Sequence, residues 1–273
     1  MLAHERIGEG PPLLLVHGLG HRRQAWYPVV DLLAPHREVI LVDLPGHGQS
    51  PAFAPRGRSA KDYLRDELEA FHVALGLERP HIAGNSLGGL IALEAAVDGR
   101  ASSVTALSPA GFWEGEQDFA YIERIFKTVV VAAGYSQHVA PLLARTAPGR
   151  ALMMSWAMAH PRRMSAEAAI GDLRSMLRAR PALKNLLGQA YSFDPEGVPE
   201  DVGVTIAWGK RDYVLRTYQA GRARELMPDA NHVWLRGCGH VPMSDRPRLI
   251  ADVLLEGSSG PLLAAAPLVA RVG

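Results

Sequence analysis

The chain has 273 residues, 48% of them hydrophobic, and a formal net charge of +1. That is enough apolar sequence for one large core carrying an insertion, and the near-neutral balance, with no block of like charges, excludes the clustered basic face that nucleic-acid binding needs. The single cysteine, Cys238, excludes an internal disulfide, and no apolar run approaches the ~20 residues of a membrane span. The N-terminal MLAHERIGEGPP lacks an apolar stretch behind a basic start, so no secretory signal is expected. With one unpaired cysteine the chain suits a reducing compartment, and the expectation is a cytoplasmic protein.

In chain order, short apolar runs end in glycine or proline turns. Residues 13–16 read as a buried strand ending at His17-Gly18, and 38–42 as another ending at Asp43. Residues 80–83 lead into Gly84, 102–107 into Ser108-Pro109, 202–207 into Trp208-Gly209, and 231–235 into Arg236-Gly237. Amphipathic stretches at 60–75, 87–97, 216–227 and 246–255 read as helices between them. Strand–helix alternation predicts a mostly parallel sheet with helices on both faces, an α/β fold whose chemistry gathers at the carboxyl ends of the strands. Residues 112–197 break the alternation. They look helical, divided at Pro141, Pro148, Pro161 and Pro181, and are expected to form an inserted cap. The organisation expected is a core of 1–111 with 198–256, a cap of 112–197, and a Gly/Ala/Pro-rich tail of 257–273.

The sharpest motif is Gly84-Asn85-Ser86-Leu87-Gly88. It matches G-x-S-x-G and lies between a predicted strand and a predicted helix, the context in which the pattern places a nucleophilic serine on a tight turn. The turn demands small neighbours and lifts Oγ above the sheet. It also aims the backbone N–H of Leu87, at a helix N-terminus, at a developing oxyanion. A serine hydroxyl needs a base, and the base needs an orienting carboxylate. On this pattern the groups follow in the order Ser, Asp or Glu, His. Trp208-Gly209-Lys210-Arg211-Asp212 and Gly237-Cys238-Gly239-His240 each follow a strand. Asp212 and His240 are therefore the expected acid and base. Asp245 is a weaker alternative, with a capping or loop-bracing role expected.

With His17-Gly18-Leu19-Gly20, Asp43 to Ser50, Gly84 to Gly89, Trp208 to Asp212 and Gly239-His240-Val241-Pro242 in place, the chain resembles the α/β-hydrolase family over residues 8 to 256. The resemblance implies that the backbone N–H of Leu19 is the second oxyanion donor. Stretch 43–50 is similar to a loop that follows one of the family's strands, and it is expected only to shape a tight turn. Few residues precede the run at 13–16, so the family's first β-hairpin is expected to be truncated. Relatives with a carboxylate nucleophile are excluded by the serine at 86.

The expected reaction is hydrolysis of a carboxylic ester of a small to medium apolar substrate, through an acyl-enzyme and without metal or cofactor. Carbon–carbon bond hydrolysis of ring-fission products and a slow ligand-binding receptor are the alternatives, since the same motifs resemble members of the first kind and a fold does not fix a function. Trp113, Met154 and Trp156 are the expected pocket residues. Ten basic residues between 124 and 184 face only Glu167 and Asp172, and a solvated helical face accounts for them better than an anionic substrate. The expected partner is a small molecule; the sequence carries no signal for oligomeric state.

Overall fold

A computed structural model describes residues 1–259; the expected tail lies outside the described residues from position 260 on. The described chain runs β1 (His4–Ile7), β2 (Pro12–Val16), α1 (Tyr27–Leu33), β3 (Glu38–Val42), α2 (Ala60–Ala74), β4 (His81–Asn85), α3 (Leu87–Val97) and β5 (Ser103–Leu107). It then leaves the sheet for α4 (Glu116–Ser136), α5 (Ala140–Ala144), α6 (Ala147–Met154), α7 (Ala166–Arg178) and α8 (Arg180–Gly188). It returns with β6 (Gly203–Gly209), α9 (Tyr218–Leu226), β7 (Asn231–Leu235) and α10 (Pro247–Gly257).

Among the described residues the sheet has seven strands in the order β1-β3-β2-β4-β5-β6-β7. All pairs are parallel except β1 with β3. β1 is the antiparallel strand, and it lies at one edge of the sheet. Side chains alternate between two cores because strand residues point to opposite faces in turn. Leu14, Val16, Ile40, Val42, Ile82, Val104 and Trp208 pack with α2 and α3 on one face. Leu13, Leu15, Val39, Leu41, Ala83 and Leu235 pack with α1 and α10 on the other.

The strands run further than the apolar composition indicated. β4 reaches Asn85 and β6 reaches Gly209 because the ladders Asn85–Leu107 and Gly209–Leu235 continue past the apolar runs. Helix α10 likewise reaches Gly257, which is buried. The prolines that divide the inserted helices mark starts: Pro141, Pro148 and Pro181 each stand in a first turn, where a missing N–H costs nothing. No helix of the described residues is long and apolar enough to cross a membrane.

The chain passes from β2 outward to β3 and from β4 the other way to β5. The loops after β2 and β4 therefore part at their carboxyl ends and leave a crevice, the place where open parallel sheets bind ligands. Leu19 and Ser86 flank it.

Candidate active site

Ser86 joins β4 to α3 with φ +57° and ψ −116°, outside the regions open to most side chains. Such strain persists only where its surroundings over-determine it. Here the Ser86 N–H donates to Leu107 O (3.0 Å), and Ser86 O accepts from Leu90 N and Ala110 N (3.1 Å each). A Cβ on Gly84 would collide with the Gly88 carbonyl, and one on Gly88 with the Val16 carbonyl, so the turn admits no larger residue at either place. Ser86 occupies the N-cap position of α3, yet its side chain caps nothing. The hydroxyl is left free at a helix N-terminus.

Asp212 and His240 come together from loops after β6 and β7. The His240 Nδ1–H donates to Asp212 Oδ2 at 2.8 Å, and Asp212 Oδ1 accepts the N–H groups of Val214 (2.9 Å) and Leu215 (2.8 Å). Both residues are buried. The carboxylate is locked by its own turn, and it locks the imidazole. Asn85, next to Ser86, donates from Nδ2 to His240 O (2.8 Å) and to Leu107 O (3.0 Å), tying the His240 loop to the serine turn. Asp245 is a brace, as expected: it accepts from Gly239 N (2.8 Å), Ala159 N (3.0 Å) and His160 N (2.6 Å). Burial, with Asp245 nearby, pushes the Cys238 thiol up to about 12, so this cysteine stays protonated and is no rival nucleophile.

The loop after β2 abuts the serine turn so closely that a Cβ on Gly18 would lie 3.1 Å from Ser86 Cβ. Here stretch 43–50 does more than turn. His17 Nε2 accepts the Leu44 N–H (3.0 Å) while its Nδ1–H donates to Gly18 O (2.8 Å). Reciprocally, His47 Nε2 accepts the Gly20 N–H (3.0 Å) while its Nδ1–H donates to Pro45 O (3.0 Å). Two buried neutral imidazoles thus clasp the two loops on either side of Leu19. Asp43 completes the brace, accepting from Arg23 N (2.7 Å), Gln49 N (2.9 Å) and the Arg23 guanidinium.

Burial lowers the pKa of His47 to about 4, against smaller opposing effects of Pro45 O and Asp43. The unfolded ring titrates near ~6.5, so between these values the unfolded chain binds the extra proton. Stability from this ring is complete above the unfolded pKa and is lost progressively as pH falls toward the folded one. The loss expected is on the order of 3 kcal/mol. Thermal melting from pH 7 to 4.5 should therefore fall more steeply for the wild type than for His47→Gln, which keeps an acceptor but cannot titrate. Equal slopes would show that the ring does not fold as a buried neutral base.

A cavity of about 70 Å³ reaches Ser86, with Leu19 and Leu87 beside it. Its walls include Leu64 of α2, Leu90 of α3, Ile122 and Phe126 of α4, and Leu215. Of the expected pocket residues Trp113 lines it, its indole N–H fixed on Tyr191 O (2.8 Å). Met154 and Trp156 do not. They line a second cavity among α4, α6 and α7, separated from the first where Trp156 packs edge-on against Phe126. Composition showed methionines and aromatics but not which side of a helix they take. The basic residues at 124–184 that make contacts largely serve the chain itself: Arg150 bonds Ala144 O, Arg163 bonds Asp245 O and Arg180 bonds Val130 O. Sequence reasoning missed the roles of Asn85, Asp43 and His47, although each stands inside a motif already singled out.

The sequence model of the alpha/beta hydrolase family matches residues 13–253. Pimeloyl-[acyl-carrier protein] methyl ester esterase from Aeromonas hydrophila is 27% identical over 259 residues, 92% of this chain and 96% of the relative. (E)-2-((N-methylformamido)methylene)succinate hydrolase from Acinetobacter baylyi is 43% identical over 84 residues, 31% of each chain. The solved structure of a thermophilic esterase from Thermogutta terrifontis superposes with a TM-score of 0.69 at 20% identity, covering 93% of this chain and 92% of that one. The family match spans nearly the whole sheet and both of its flanking layers, and the chain is a hydrolase belonging to the alpha/beta hydrolase family.

Proposed function

We propose that this hydrolase cleaves carboxylic esters of small to medium apolar acids. Ser86 attacks the carbonyl carbon while His240 takes its proton, and Asp212 holds the imidazole and stabilises its cation. The N–H groups of Leu19 and Leu87 receive the oxyanion. His240 then gives the proton to the departing alkoxide, and a water activated by the same ring releases the acid. Helices of 112–197 serve as the cap that closes the site. The observation that carries the reading is the cavity at Ser86, whose walls are almost wholly apolar. The relative that is a methyl ester esterase supports it.

Ring-fission diketo acids fit less well. They bring carboxylates, and the cation lining the cavity, Lys61, already lies 3.0 Å from Glu94. A receptor on this fold would show a ligand-dependent rise in melting temperature without turnover.

The test is a p-nitrophenyl ester series of rising acyl length at a fixed leaving group. Turnover should rise from acetyl to a mid-length chain and then fall, and the length preference should vanish into background in Ser86→Ala. Absence of turnover on every ester, with a melting shift from the same compounds, would replace the enzyme reading by the receptor.

A further inference from the structure

We propose that the outer face of the inserted helices, around the end of α4, docks on an anionic lipid bilayer. Twelve large hydrophobic side chains are exposed among the described residues, and five of them, Val131, Tyr135, Val139, Leu142 and Leu152, fall within 131–152. Exposed apolar residues scattered singly are ordinary; a cluster of them marks an interaction surface. Tyr135 is 86% exposed and Leu152 74%, so both stand out of the surface. At about 100° per residue, Val131 and Tyr135 share one side of α4. Val139 and Leu142 continue from its end, where the Val139 N–H donates to Ser136 O (2.9 Å) and the Leu142 N–H to Val139 O (3.0 Å). Leu152 of α6 joins them across the mouth of the second cavity. That cavity, of about 340 Å³, is lined by Thr128, Ala132 and Ser136 of α4 together with Leu143 and Leu152. Thr128, Ala132 and Leu152 are exposed and mark where it opens.

The charge around this patch selects the partner. Arg124 falls on the same side of α4 as Val131 and Tyr135, Arg145 follows α5, and the Arg180 guanidinium lies against α4 on Val130 O (3.1 Å). All three are exposed, and none pairs with a carboxylate among the described residues. Between 124 and 184 the acids are Glu167 and Asp172, and Asp172 is already held by Arg22 Nε at 3.3 Å. Protruding apolar side chains beside unpaired arginines suit a lipid interface: the first enter the acyl boundary and the second meet anionic headgroups. A tyrosine belongs at the headgroup level, with its apolar ring and polar tip. An acidic protein would answer the charge, but its anchor residues need packed pockets, whereas Tyr135 and Leu152 project outward, as insertion into lipid requires.

The experiment is co-sedimentation of the full chain with vesicles of phosphatidylcholine alone and of phosphatidylcholine with about 30% phosphatidylglycerol. Wild type should partition onto the anionic vesicles about tenfold better than onto the neutral ones, and raising salt from about 0.1 M to about 0.5 M should cut that advantage severalfold. Tyr135→Ser with Leu152→Ser should lower partition onto anionic vesicles about tenfold. Arg124→Glu with Arg145→Glu should erase the preference for them. Arg224→Glu with Arg248→Glu makes the same charge change at exposed positions of the core helices α9 and α10 and should leave the preference in place. All these positions lie outside the Ser86 cavity, so an unchanged melting temperature is expected throughout and separates lost docking from lost fold. Wild type that ignores anionic vesicles, or a core pair that weakens binding as much as the α4–α6 pairs do, would overturn the proposal. Binding to polyglutamate in place of vesicles would overturn it in favour of an acidic protein. Docking is read without turnover, so its outcome is distinct from that of the ester assay.

Discussion

Ser86→Ala is expected to lower kcat on the best ester about 10⁶-fold, leaving only the residual rate that binding and oxyanion donors provide. The size follows from the mechanism. Without Oγ there is no acyl-enzyme, and a six-decade loss corresponds to about 8 kcal/mol of barrier. The fold should survive, because the turn is held by backbone groups: Ser86 N on Leu107 O and Ser86 O under Leu90 N and Ala110 N. The deleted hydroxyl caps nothing in α3. Loss of activity with an unchanged melting temperature is the expected pair of results; a tenfold loss or less would mean that another group performs the attack.

Asp212→Asn is expected to lower kcat about 10⁴-fold with KM little changed. Oδ1 of residue 212 accepts two backbone N–H groups, from Val214 and Leu215. An asparagine keeps both bonds by placing its oxygen there, which turns its NH₂ toward His240 Nδ1. That donor requires Nδ1 to accept, so the ring proton moves to Nε2, the atom that in the proposed mechanism takes the proton of Ser86. The imidazole would sit in the right place in the wrong tautomer. A crystal structure of the variant unchanged in position, together with the kinetic loss, is the expected combination. Retained activity would assign the base or its orienter elsewhere.

The fold and the triad candidates were legible because each motif sits where an apolar run stops. G-x-S-x-G after 80–83, Asp212 after 202–207 and His240 after 231–235 all mark strand ends, and a parallel sheet brings strand ends to one side. Strand limits were less legible, since ladder pairing carries Gly84, Asn85 and Trp208 into the sheet regardless of propensity. The clasp of His17 with His47 was not legible at all. It depends on two loops, 27 residues apart in sequence, meeting across neighbouring strands. The separation of Trp113 from Met154 and Trp156 depends on how the inserted helices pack, which helical composition does not encode.

The central claim is that Ser86 is the nucleophile, and covalent trapping tests it most directly. The protein would be incubated with an alkyl fluorophosphonate, its intact mass measured, and the modified peptide mapped. One phosphonyl group per chain, on Ser86, is the expected result. Ser108 is the instructive rival: it too has a positive φ, at the end of β5, but it is fully buried and its Oγ accepts the Gly209 N–H at 3.3 Å. Label on Ser108 or another residue, or no label on folded protein that turns over esters, would contradict the account.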